Sequence, residues 1–150
     1  MLQFKSREIR DRAPYTLHWA DVHFRSRKLR LWFTVRSPTM NRVVLCWFSN
    51  DGDNVSDCLP LYVPDLRQTI LFMQGDGHLE ESGKLSLKRV NGKIVITCRF
   101  DDPVSLVIPR AIERDVLSLL CQADRIINTL VKRSVLLPLA HIHNDALAGR

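Results

Sequence analysis

Asn91-Gly92 sits between two runs of alternating polarity, Lys84–Val90 and Lys93–Phe100, and this dipeptide is the strongest short hairpin signal a sequence carries. A two-residue loop fixes which residues stand opposite one another. It sets Val90 against Lys93, Lys88 against Val95, Ser86 against Thr97 and Lys84 against Arg99 on one face. Leu87 against Ile96 and Leu85 against Cys98, continued by Phe100, form the other, apolar face, with Arg89 beside Ile94 at an exposed tip. The polar face gathers Lys84, Lys88, Lys93 and Arg99 with no carboxylate among them. Lys84 directly opposite Arg99 is unfavourable on its own, and an anionic ligand would relieve it.

The rest of the chain reads as further strands followed by one long helix. Tyr15–Phe24 is rich in aromatic and β-branched residues, and Lys28–Arg36 alternates, with Leu29, Leu31, Phe33 and Val35 on the core side. Arg30, Trp32, Thr34 and Arg36 take the wet side. Arg42–Ser49 is apolar on both faces, as a buried central strand is. A turn over 37–41 precedes it and a polar loop over 50–57 follows. Leu59–Val63 is a short strand feeding a helix over about 64–73 that Pro64 opens and the glycines at 75 and 77 stop. Val104–Ile108 leads in the same way to Pro109 and a helix to about Arg133. Its stripe is Ile112, Val116, Leu119, Leu120, Ala123, Ile126, Ile127, Leu130 and Val131, recurring every three or four residues. Residues 1–14, with Lys5, Arg7, Arg10 and Arg12, read as an N-terminal arm or short helix, and 141–150 as a flexible tail.

These elements make an α+β domain, an antiparallel strand-rich sheet or sheets packed against a C-terminal amphipathic helix. The expected extent is 15–140, with possible halves 15–80 and 81–140, each a ββ-β-α unit. No apolar run reaches the roughly 18 to 20 residues a membrane helix needs, and the N-terminus lacks the apolar core of a secretory signal. The expectation is a cytoplasmic protein. Cys46, Cys58, Cys98 and Cys121 are widely spaced, three of them inside apolar patterns, so inert core thiols are favoured over a disulfide or metal set. The formal charge of +6 favours an anionic partner.

Signals for catalysis or cofactors are weak. His141-x-His143-x-Asp145 lacks a fourth metal ligand, and Asp51, Asp53 and Asp57 miss the glycine and glutamate positions of a calcium loop. No phosphate-binding glycine motif, metalloprotease pair or nucleophile elbow is present. The expectation is a non-enzymatic protein without cofactor or metal.

In pattern, residues 84–130 (strand, Asn-Gly turn, strand, short strand, long helix) resemble single-stranded-DNA-binding families of the transcriptional coactivator, Whirly and PUR-repeat type. With 28–73 as a first unit the likeness is greatest to Whirly and PUR. The Whirly lysine-glycine signature, the PUR motifs and the coactivator's early-helix tryptophan have no counterpart, so no residue roles carry over. The resemblance implies a homodimer formed through the long helix and single strands bound across the sheet. The residues themselves, cations beside an indole on exposed strand faces, give the expectation that Lys84, Lys88, Lys93 and Arg99 neutralise phosphates while Arg30, Trp32 and Arg36 stack and pair. Solvated or interface surface explains the same cations slightly better. Two alternatives stay open: a protein-interaction module (adaptor, chaperone or immunity-type) docking through the C-terminal helix, and, ranked last, cyclic-dinucleotide binding of the PilZ kind, whose arginine spacing and glycine are not met.

Overall fold

In the computed structural model, residues 2–10, 12, 14–35, 42–49, 55–75, 77, 79–99 and 102–129 are described. The fold is α+β, with two antiparallel sheets and a C-terminal helix. The first sheet is a five-stranded meander of β1 (Lys5–Ile9), β2 (Tyr15–Phe24), β3 (Arg27–Val35), β4 (Arg42–Ser49) and β5 (Val55–Tyr62), in that spatial order. Helix α1 (Val63–Gln74) follows at once, with Pro64 in its first turn. The second sheet runs β6 (Leu79–Ser82), β7 (Leu85–Val90), β8 (Lys93–Cys98) and β9 (Val104–Ile108). A 3-10 turn at Arg110–Ile112 leads into helix α2, residues 113–129. The chain thus makes an antiparallel meander and then a helix, twice over, with five strands in the first sheet and four in the second.

The inward faces of both sheets meet α1 and α2 in one continuous apolar cluster. β2 and β3 place Ala20, Val22, Leu29, Leu31 and Phe33 there, and β4 and β5 add Val43, Leu45, Trp47, Leu59 and Leu61. From the second sheet come Leu85, Leu87, Ile94, Ile96 and Leu106, and from α2 Val116, Leu119, Leu120, Ala123 and Ile127. The alternation of the strands and the helical stripe therefore share one solution. His18 lies over the Phe33 ring at 4.7 Å, and burial holds its imidazole below the usual histidine range. Polar bonds tie the units. The Trp47 Nε1–H donates to the Val107 carbonyl (3.1 Å), and Arg89 makes two bonds to Glu113 (3.0 and 2.6 Å). Arg67 binds Asp124 and Asn128 across the two helices.

The β7–β8 hairpin has the register that Asn91-Gly92 dictates, pair for pair from Val90–Lys93 to Leu85–Cys98. Both turn residues take positive φ, 52° and 79°. Four local expectations are corrected. Residues 5–9 form edge strand β1 rather than an arm or helix, because their alternation lets Lys5, Arg7 and Ile9 pair with Trp19, Leu17 and Tyr15. β5 begins at Val55, inside the expected loop; its Pro60 is tolerated because β5 ends the sheet order. Arg89 is not an exposed tip but is half-buried between Glu113 and the Phe72 ring. Cys46 and Cys58, directly opposite on β4 and β5, form a disulfide.

The other two cysteines are free thiols, and burial pushes both up, Cys98 to about 11 with Asp65 adding to the effect. No helix among the described residues is long and apolar enough to cross a membrane. The turn at 37–41, the continuation of α2 beyond 129 and the 141–150 tail lie outside the described residues.

Two substitutions test this core and its register. In urea denaturation Leu31→Ala is expected to lower stability by about 2–5 kcal/mol, as cavities at fully buried leucines do, and Gly92→Ala by about 1–2 kcal/mol for its left-handed backbone. Losses within about 0.5 kcal/mol of zero, the range of neutral surface changes, would contradict the placement of these two residues.

Candidate nucleic-acid interface

Because the strand period is two, burying Leu29, Leu31 and Phe33 forces Arg30, Trp32 and Thr34 to the opposite side of the first sheet. The same rule on β2 turns Tyr15, Leu17, Trp19 and Asp21 to that side, and on β1 Lys5, Arg7 and Ile9. Strand pairing aligns them in rows. One row runs Lys5, Trp19, Trp32, Val44 and Pro60 across all five strands. The next holds Arg7, Leu17 and Thr34, and on the other flank stand Asp21, Arg30, Cys46 and Cys58. Between them lies a groove of about 300 Å³ lined by Arg7, Ile9, Leu17, Trp19, Arg30, Trp32 and Phe48.

The two indoles are direct cross-strand neighbours and half-buried. Arg30 forms one wall. Its Nε donates to Asp21 Oδ1 (2.7 Å) and its Nη2 to Oδ2 (3.0 Å), and its guanidinium sits 5.3 Å from the Phe48 ring centroid. The bidentate bond to Arg30, helped by Lys28 at 3.8 Å, holds the Asp21 carboxyl below its usual range against the opposing effect of burial. Arg30 therefore offers a planar, oriented face with its charge largely answered by Asp21. Further positive charge stands at the rim, where Lys5 and Arg7 are exposed. The groove is chemically an aromatic slot edged by cations, suited to a flat, hydrophobic ring system carrying negative charge.

The second cationic set stands on the other sheet. Lys84, Lys88, Lys93 and Arg99 are all exposed on the outward side of β7 and β8. The expected absence of a carboxylate is overturned, because the unforeseen strand β6 sets Glu81 opposite Ser86 and Arg99 binds its Oε1 at 2.6 Å. The Lys84–Arg99 juxtaposition is thus relieved within the chain, and that pair exerts no demand for an external anion. Thr97 and Ser105 share a hydroxyl hydrogen bond (2.8 Å) on the same face, and Val107 and Val90 are exposed beside it.

Of the residues singled out in the sequence, Arg30 and Trp32 thus come together in the groove, the three lysines and Arg99 lie apart from them, and Arg36 is outside the described residues. Arg7, Ile9, Leu17, Trp19 and Phe48 complete the groove and were missed. The alternation Tyr15-Leu17-Trp19 was their signal, but the β2–β3 turn at Arg25-Ser26 carries neither glycine nor asparagine to set the register, although Arg25 takes φ 56°. Among the described residues no three histidine, cysteine or acidic side chains converge as metal ligands. His141, His143 and Asp145, and Asp51 and Asp53, fall outside the described residues, while Asp57 is exposed.

The Asp21–Arg30 pair has a pH signature. With a folded carboxyl below its unfolded value, Asp21 adds stability that is complete above about pH 4 and lost as pH falls through the folded value. The stability gap between wild type and Asp21→Asn, measured by denaturant titration from neutral to acid pH, is expected to close on acidification. A gap that stays constant with pH would contradict the pairing. No protein family matches the chain, and neither a curated protein nor a solved structure resembles it closely enough to count as a match.

Proposed function

We propose that this is a non-enzymatic protein that binds single-stranded nucleic acid along the outward face of the five-stranded sheet. The observation that carries the reading is the Trp19–Trp32 pair, set side by side on that face between Lys5 and Arg7 on one flank and Arg30 over Phe48 on the other. Unpaired bases expose π-faces that an indole can stack on regardless of sequence, at about 1–3 kcal/mol per base, while cations along the rim accept the phosphates. Duplex DNA keeps those faces stacked inside, so single strands are the better ligand. The proposal moves the site's centre from the Lys84–Arg99 hairpin to the groove, with Lys88 and Lys93 as outlying phosphate contacts.

The alternative, a protein-interaction module docking through the C-terminal helix, draws less support from the surface. Between 113 and 129 the large apolar side chains are buried in the core or packed against it, and none is among the exposed ones. A homodimer formed through that stretch has equally little apolar area to use. The cytoplasmic setting stays part of the proposal, though Cys46 and Cys58 no longer argue for it as free thiols.

Fluorescence anisotropy of labelled single-stranded DNA and RNA, titrated over a salt series, tests the proposal. Wild type is expected to bind either ligand with an affinity that falls steeply as salt rises. Trp19→Ala and Trp32→Ala are each expected to weaken binding about 5- to 150-fold, the equivalent of one lost stacking contact, whereas Lys88→Ala lowers the salt slope by about one. Binding that is absent, or indifferent to both tryptophans, would reject the groove.

A further inference from the structure

The Cys46–Cys58 disulfide lies on the binding face itself. Cys46 is the cross-strand neighbour of Arg30, and Cys58 next to it is exposed. β5 needs that bond more than its neighbours do. It is the last strand of its sheet, and the register breaks between Cys46 and Phe48. Leu59 and Leu61 anchor the C-terminal half of β5 in the core. The N-terminal half, Val55–Cys58, pairs with β4 at Val55–Phe48 and at Cys58–Cys46 on either side of that break, and the disulfide makes the second pair covalent. Phe48 is the groove wall over which Arg30 lies.

We propose that this disulfide is a redox switch for the groove: the oxidised chain binds nucleic acid, and reduction by a dithiol releases the first half of β5, loosens Phe48 beneath Arg30 and weakens binding. The inference rests on the nucleic-acid reading. A thiolate of the reductant attacks the exposed Cys58 sulfur, breaks the Cys46–Cys58 bond and forms a mixed disulfide. The Cys46 thiolate leaves and takes up a proton. The reductant's second thiol then attacks its own sulfur in the mixed disulfide, expelling the Cys58 thiolate, which is protonated in turn. Two electrons and two protons pass from the dithiol, which ends as a disulfide. Cys98 and Cys121 take no part, being separate free thiols that burial keeps protonated.

The test uses the full chain, purified without reductant and then divided into untreated, dithiothreitol-reduced and reoxidised samples. Thiol titration of denatured protein should find two free thiols untreated and four after reduction, from the four cysteines present; four at the outset overturns the switch. A labelled thymidine oligonucleotide should bind the reduced form about fivefold or more weakly, the loss expected of one impaired stacking wall, and reoxidation should restore the affinity. Cys46→Ala/Cys58→Ala should match the reduced protein and ignore dithiothreitol. Because that variant could misfold, amide hydrogen exchange of the reduced wild type supplies a second readout, with faster exchange at 55–58 and at Phe48 and none of that change in β7 and β8. Equal affinity of the oxidised and reduced forms, or unchanged exchange, overturns the switch and leaves the nucleic-acid reading standing. No binding by the oxidised protein overturns both.

Discussion

The layer of side chains shared by β3 and β4 is the constraint from which the rest follows. Leu29, Leu31, Val43 and Leu45 are wholly removed from water, and Phe33 almost so. Removing that much apolar surface is the main favourable term in folding, and in a strand it cannot be done without sending every second residue the other way. The positions of Arg30, Trp32 and Phe48 are therefore set by the buried residues that alternate with them along their strands. A one-residue slip of β3 would bury a guanidinium and an indole and expose three leucine-sized side chains, so the same force that stabilises the core holds the groove in register.

The polar interactions divide by role. Arg89 with Glu113, Arg67 with Asp124, and Trp47 with the Val107 carbonyl join elements far apart in sequence and fix how the two meanders and their helices meet. The Arg89–Glu113 pair is the most buried of these and places a carboxylate on the first turn of α2, where the helix dipole favours it. Asp21 acts otherwise. Within one sheet, it orients the Arg30 fork and offsets its charge at that wall of the groove, while Lys5 and Arg7 stand exposed at the edge.

The sequence made some of this legible and hid the rest for identifiable reasons. The 84–100 hairpin could be read residue by residue because Asn91-Gly92 specifies both turn and register, and the α2 stripe because nothing interrupts its period. β4 and β9 were bounded correctly by their neighbouring turn residues. β1 was obscured by charge, since five residues with two cations and an acid look like an arm until a partner strand is present. β6 is only four residues long and carries two glutamates, and missing it meant missing the carboxylate that answers Arg99. The disulfide joins residues twelve apart, a spacing that means little until β4 and β5 are paired. The groove needed four strands at once, β1 to β4, two of them in a register that no turn motif announces.

Among the described residues no further strand pairs with β1 at its side of the first sheet, which leaves a row of backbone donors and acceptors open there. Such a row invites a second copy of the chain to add itself, and charged side chains are the usual deterrent. Lys5, Arg7 and Glu8 are exposed along it. Charge on this edge strand therefore disfavours edge-to-edge addition, and chemistry that neutralised it would expose a bare sheet edge beside the aromatic slot.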